Sequence, residues 1–315
     1  MSQQTEPAER RSLGSRFWEY QGERFPFLQH GLLIVTFTFS AASYSRICRG
    51  APGFIPTGQF IVGAITSLLF FFLLRIFDEF KDAEEDARYR AYRPVPRGLI
   101  TLRELSRIGI GVVIAQIGMN ALVMPTMLPA YLLVLVYMLL MAREFFVPAW
   151  LKRRPILYML SHMVVMPLID FYTTGLDWLN AGAAPPRGLE FFLLVTFLNG
   201  IVIEVGRKIR SSEMEEEGVE TYSALYGSRR ATVAWLAIIA TTYGSAVLAA
   251  LHAGFGTVGV GVLTGFLILS SIPALLFLGS GSARHAKLIE TASGVWTIAM
   301  YLTLGAAPMA IEAMG

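Results

Sequence analysis

The chain has 315 residues, 54% of them hydrophobic and only 16% charged, with a mean hydropathy of +0.54. A soluble protein carries about 25% charged residues, so a water-exposed globule is excluded; the apolar residues come in blocks of about 20, enough to cross a hydrocarbon core roughly 30 Å thick. A net charge of +3 leaves no basic surface for nucleic acid, and the single cysteine, Cys48, excludes an intramolecular disulfide or a Cys-rich metal site.

Residues 1–24 are polar, include Arg10, Arg11 and Arg16, and lack an apolar core. They read as a cytoplasmic N-terminal segment rather than a cleaved leader, followed by one transmembrane domain over residues 25–315. Apolar blocks between charged or Pro/Gly-rich breaks predict nine helices, near 26–48, 55–77, 106–124, 127–149, 156–174, 188–206, 230–251, 257–279 and 292–312. Arg103, Glu104 and Arg107 crowd the start of the third. The expected class is an all-α, polytopic membrane protein.

If every block crosses once, 22 of the 26 Lys and Arg residues fall on one side. Cytoplasmic loops carry such an excess, so the N-terminus is expected inside and the C-terminus outside. Two loops on the basic side are long, 81–107 and 207–229, and long charged loops in a compact bundle are usually functional. Four helices separate them, which suggests two related halves.

The first long loop opens with Asp78-Glu79-Phe80-Lys81-Asp82-Ala83-Glu84-Glu85-Asp86. Residues four apart on a helix sit one turn along and about 40° round, so Asp78, Asp82 and Asp86 are expected on one face where the helix meets water. Three such carboxylates repel unless cations hold them. They offer the hard oxygen ligands that Mg2+ accepts while it keeps waters and recruits phosphate. Arg88, Arg90, Arg93 and Arg97 follow, with forked donors suited to phosphate oxygens. The blander reading is a solvated helix extension in which Lys81 pairs with Glu85. Arg93-Pro94-Val95-Pro96-Arg97-Gly98 cannot be regular helix, because two prolines remove donors and restrict their predecessors. It is expected as an extended turn.

The second long loop begins inside the sixth block, where Glu204 must face a cavity or a cation rather than lipid. Arg207, Lys208 and Arg210 form a cationic cluster opposite in sign to the start of the first loop. Glu213 and Glu217 stand four apart as a second carboxylate pair, or simply as a solvated acidic turn. Arg143, Glu144, His162, Asp170 and Asn199 also interrupt apolar surroundings. Interhelical hydrogen bonding accounts for such residues in membrane bundles and is the preferred reading for His162. Arg143, near the cytoplasmic boundary, is a further candidate for the phosphate-binding group.

Together these residues resemble the UbiA superfamily of intramembrane prenyltransferases, with an Asp-rich motif after the second helix and a charged motif after the sixth. The family's first motif is Asn-Asp-x-x-Asp-x-x-x-Asp, followed by Arg-Pro-[apolar]-[small]-x-Gly. Here Asp78 takes the Asn position and Glu79 the adjoining Asp; Asp82 and Asp86 match directly, and residues 93–98 match the tail. Residues 218–227 resemble the segment that closes the second motif, and Lys152-Arg153-Arg154 looks like the family's basic loop. The second motif departs from the pattern, since its two Asp positions fall on Arg210 and Met214. Either Glu213 and Glu217 substitute, or Arg207, Lys208 and Arg210 neutralise phosphate charge in place of a second metal.

The resemblance implies a nine-helix UbiA-like bundle with its active-site cavity on the cytoplasmic side, residues 25–315 being the catalytic domain. It implies Mg2+-dependent ionisation of an isoprenyl diphosphate and transfer of the prenyl group to an aromatic or other lipophilic acceptor within the membrane lipid. On that reading the metal ligands are Asp78, Asp82 and Asp86, with Glu213 and Glu217 completing a second site. Arg93, Lys152, Arg207, Lys208 and Arg210 hold the diphosphate. Two other readings stay open: a terpene cyclase of the same superfamily that needs no acceptor, and a non-enzymatic transporter or lipid-binding protein. Sparse charge at mid-depth speaks against a transporter, whose coupling site lies near the midplane.

Overall fold

The computed structural model describes residues 11–216 and 218–314, and helices dominate them. Nine are long and apolar enough to cross a membrane among the described residues. The chain opens with α1 (Leu13–Arg24), α2 (Phe27–Cys48), α3 (Thr57–Lys81) and the short α4 (Ala83–Tyr89). Then come α5 (Leu102–Val123), α6 (Leu128–Ala142), the short α7 (Pro148–Lys152), and α8 (Pro155–Met163) with α9 (Val165–Trp178), which share one crossing. The second half is α10 (Leu189–Arg207), α11 (Tyr222–Tyr226), α12 (Ser228–His252), α13 (Gly256–Ser280), α14 (Ala283–Tyr301) and α15 (Ala307–Met314), the last two sharing one crossing.

Several ends differ from expectation, each for a local reason. The third crossing starts at Leu102, because Thr101 and Glu104 form a capping box that satisfies the first helical N–H groups. The fourth stops at Ala142. Glu144, Phe145 and Phe146 then take three successive left-handed conformations (φ 49°, 52° and 62°), which no helix tolerates. The fifth is broken between α8 and α9, where Pro167 cannot donate to the carbonyl four residues back. The ninth starts at Ala283, where the Ser282 side chain accepts from the His285 N–H. Residues 93–98 form consecutive compact turns rather than an extended one: the Arg97 N–H bonds the Arg93 carbonyl and Gly98 takes φ +79°. Proline's fixed φ suits such turns as well as extended chain.

The core divides into two main clusters. One packs Phe70, Leu73, Tyr131 and Tyr172 between α3, α6 and α9. The other packs Phe192, Trp235, Ile239 and Trp296 between α10, α12 and α14. Helix α2 lies on the seam, giving Ala42 to the first and Ala41 and Tyr44 to the second. It can do so because Gly305, in a π turn over Leu302–Ala306, leaves no room for a side chain against the Ser40 backbone. At one end of the bundle the buried Asp177 ties α9 to α2. It accepts from Ser45 Oγ (3.0 Å), Arg46 Nη1 (3.0 Å) and Arg49 Nη2 (2.7 Å).

Candidate active site

The two long charged loops meet at the other end of the bundle. Helix α3 runs to Lys81 and carries Asp78 on its last turn; the path loosens at Asp82 (φ −92°, ψ 3°) before α4. Helix α1, not anticipated from the sequence, holds this region from outside. Arg24 Nε lies 2.6 Å from Glu79 Oε1, Arg97 Nη2 lies 2.6 Å from Glu23, and Arg16 Nη2 lies 2.6 Å from Glu104. Glu79 is therefore buried against α1 and turned away from the mouth. The Arg97 guanidinium holds the Glu23 carboxyl below the usual carboxylate range.

The three aspartates have different surroundings. Asp78 forms an ion pair with Arg75 alone among the described residues, at 3.4 Å, and is half-exposed. Among the described residues, the Asp82 carboxylate makes no hydrogen bond or ion pair. Burial raises it above the usual carboxylate range; Lys81 opposes this, while Asp78, Asp86 and Glu85 add to it. Asp86 is buried between Arg90 Nη1 (2.7 Å) and Arg93 Nη1 (2.6 Å). Asp86 and Arg93, expected as metal ligand and diphosphate grip, thus hold each other. The cause is the run of turns after α4, which folds Arg93 back onto it.

Across the mouth, Glu204 near the end of α10 accepts from Arg207 Nε (2.7 Å) and lies 2.9 Å from Lys208 Nζ. Arg207 lies within electrostatic reach of Asp78. Gly218 lies against the ring of Tyr89 from α4, so the loops touch directly. Arg210 is turned into its own loop, on the Met214 carbonyl (3.0 Å) and Glu216 (3.1 Å). Lys152 sits at the edge, 3.6 Å from the exposed Glu85. Glu213 is exposed in a 3-10 turn, and Glu217 lies outside the described residues. Among the described residues no three His, Cys, Asp or Glu side chains converge as a ready-made metal cage. Asp78 and Asp82 nevertheless fit Mg2+, which takes one or two carboxylates and completes its shell with water and substrate phosphate.

A further group extends inward from Lys81. Its Nζ donates to Tyr158 Oη (2.5 Å), which donates to Glu144 Oε1 (3.0 Å). His162 stacks on Tyr158 with ring centroids 4.0 Å apart. Lys81 therefore does not take Glu85, the partner that the blander reading of this segment gave it, and His162, read as an interhelical bond, bonds the Tyr158 carbonyl of its own helix. The available signal was Tyr158 and His162 four apart on one helix, facing a Glu that interrupts an apolar run. A surface hollow of about 490 Å³ beside Lys152, lined by Ala149, Trp150, Arg153 and Arg154, shares no residue with this site.

A profile of the UbiA prenyltransferase family matches residues 33–288. The chain belongs to that family. The fold agrees. An apo UbiA homolog from Aeropyrum pernix K1 superposes with a TM-score of 0.65 at 16% identity, over 90% of this chain and 98% of that one. A structure of a digeranylgeranylglyceryl phosphate synthase gives 0.63 at 13% identity, over 94% and 99%. No curated protein sequence matches. The UbiA bundle thus accounts for the nine crossings and for the meeting of the loops that follow the second and sixth of them.

Proposed function

We propose that this UbiA-family protein is a prenyltransferase that moves an isoprenyl group from an isoprenyl diphosphate to a lipophilic acceptor. The observation that carries this is the opposition of two unequal walls at one mouth: carboxylates Asp78 and Asp82 at the end of α3, and cations Arg207 and Lys208 at the end of α10. The basic-residue asymmetry supports a cytoplasmic side for this mouth.

Asp78 and Asp82 would hold Mg2+, which supplies charge neutralisation for the departing diphosphate oxygens. Arg207 and Lys208 bind the same oxygens from the other wall, exchanging Glu204 for phosphate as the substrate enters. Preplaced cations favour the charge that develops on the leaving group, and they need no reorganisation during the reaction. The apolar helices behind the mouth keep water from the allylic carbon until the acceptor captures it.

The experiment is a turnover assay on purified protein in lipid nanodiscs, with farnesyl and geranylgeranyl diphosphate as donors and aromatic and aliphatic acceptors. Magnesium-dependent diphosphate release with a prenylated product is the expected result, lost in Asp82→Asn. A cyclic hydrocarbon formed without acceptor replaces transferase by cyclase. Release at the wild-type rate in Asp82→Asn, or in EDTA, removes the proposed site.

A further inference from the structure

The short helix α7 joins two crossings, and Lys152 at its end lies 3.6 Å from Glu85, so its loop sits at the membrane surface on the side of the mouth. Beside it opens the hollow of about 490 Å³ lined by Ala149, Trp150, Arg153 and Arg154. That volume falls in the range of small-ligand sites, about 300–1,000 Å³. Every lining residue belongs to this one loop; none is an aspartate of α3 or a cation of α10.

The indole of Trp150 fixes one side of the hollow. The Arg154 guanidinium lies 4.3 Å from the centre of its ring, and Nη1 donates to the Trp150 carbonyl at 3.1 Å. Stacking holds the planar fork while its remaining N–H groups stay available. The Arg153 guanidinium makes no hydrogen bond or ion pair among the described residues, and both arginines are exposed. Neighbouring guanidiniums repel unless an anion lies between them, and their paired donors match phosphate oxygens.

The surroundings decide which phosphate. Phe146, Val147 and Trp150 on one side of the two arginines, and Ile156 and Leu157 on the other, are all exposed. At the end of a membrane crossing such side chains lie against acyl chains, with Trp and Arg at headgroup depth. A soluble phosphate would use the arginines alone and leave the apolar flanks in water. A choline headgroup would bring a third cation to two.

We propose that the hollow of Trp150, Arg153 and Arg154 binds the phosphodiester headgroup of one anionic phospholipid, whose acyl chains run down α8 over Ile156 and Leu157. The proposal stands apart from the transferase reading and does not depend on it. Basic residues beside a membrane helix attract anionic lipid; here the two guanidiniums grip one phosphate, and Trp150 sets the direction of Arg154.

The test is native mass spectrometry of the full-length protein in detergent, titrated in turn with dioleoylphosphatidylglycerol and dioleoylphosphatidylcholine. Wild type is expected to retain one phosphatidylglycerol at concentrations that leave phosphatidylcholine unbound. Arg153→Gln combined with Arg154→Gln should weaken that binding at least tenfold. Arg229→Gln combined with Arg230→Gln removes the same charge from another exposed pair, at the start of α12, and should leave the affinity unchanged. Trp150→Ala keeps every charge and should weaken binding severalfold, because Arg154 loses its support. An affinity in the Arg153/Arg154 variant no lower than in the Arg229/Arg230 variant, or a wild-type affinity in Trp150→Ala, reduces the attraction to diffuse charge and overturns the site. Equal retention of the two lipids by wild type overturns it as well. So does displacement of phosphatidylglycerol by inorganic diphosphate, which would assign the hollow to a soluble phosphate.

Discussion

The ring of Tyr89 covers Gly218, so that the loop carrying the aspartates rests on the loop carrying the cations. A Cβ at position 218 would lie 2.8 Å from the ring, and the residue's φ of +76° already favours glycine. The spacing between the two walls of the mouth is therefore set by a contact with no slack.

Gly218→Val should spread that contact. Left-handed backbone disfavours a β-branched residue by about 1–2 kcal/mol, and displacing the walls by an ångström should slow diphosphate release about tenfold to a hundredfold. Tyr89→Ala in the same chain frees the space and should restore part of the rate. Steady-state assays on the single and double variants check this; a rate in Gly218→Val equal to wild type removes the spacing role.

Asp82 should trade stability for function. Burial raises its carboxyl, so the native state binds that proton more tightly than the unfolded chain does. Stability contributed by the protonated form is then lost as pH rises from the ordinary carboxylate value through the raised one. In metal-free buffer at neutral pH, Asp82→Asn should have a higher Tm than wild type, and the gap should close as pH falls below the raised value. Activity should be absent in the same variant. A lower Tm at neutral pH contradicts the assignment.

Asp177 should matter for stability alone. Its buried carboxylate holds Arg46 and Arg49 at the opposite end from the mouth. Replacing it with Asn leaves two guanidiniums uncompensated, a loss on the order of 3 kcal/mol. Thermal unfolding in detergent should show the drop, with turnover per folded molecule unchanged. A large fall in turnover would place a catalytic function at this end.

Arg24 should act through Glu79. Arg24→Ala strands a buried carboxylate beside the first motif, so Glu79→Gln added to it should recover stability. A double-mutant cycle on Tm should give a coupling of about 1–3 kcal/mol. Additive effects would mean that α1 is held by its other ion pairs.

The crossings were legible because hydropathy changes sharply at their borders, as at Phe27 and Ser280. Helix α1 was not, because Phe17 and Tyr20 alternate with Arg16, Glu19 and Glu23; such a helix is stable only once it docks. The stop at Ala142 lacked any Gly or Pro to announce it. The position of Asp78 and Asp82 one turn apart at the end of α3 could be read from four-residue spacing. The capture of Asp86 by Arg90 and Arg93 could not, since it depends on how the turns at 93–98 fold back. The partners of Lys81 were illegible for the same reason: Tyr158 and Glu144 lie some sixty to eighty residues away.

The most direct measurement is the affinity of a non-reacting thio analogue of geranylgeranyl diphosphate, titrated calorimetrically with and without Mg2+. The account predicts tight binding to wild type only with Mg2+. It predicts that Asp82→Asn loses the metal dependence, and that Arg207→Ala keeps that dependence while binding at least tenfold more weakly. Equal affinity in EDTA, or an Arg207→Ala affinity matching wild type, would contradict a diphosphate held between these two walls.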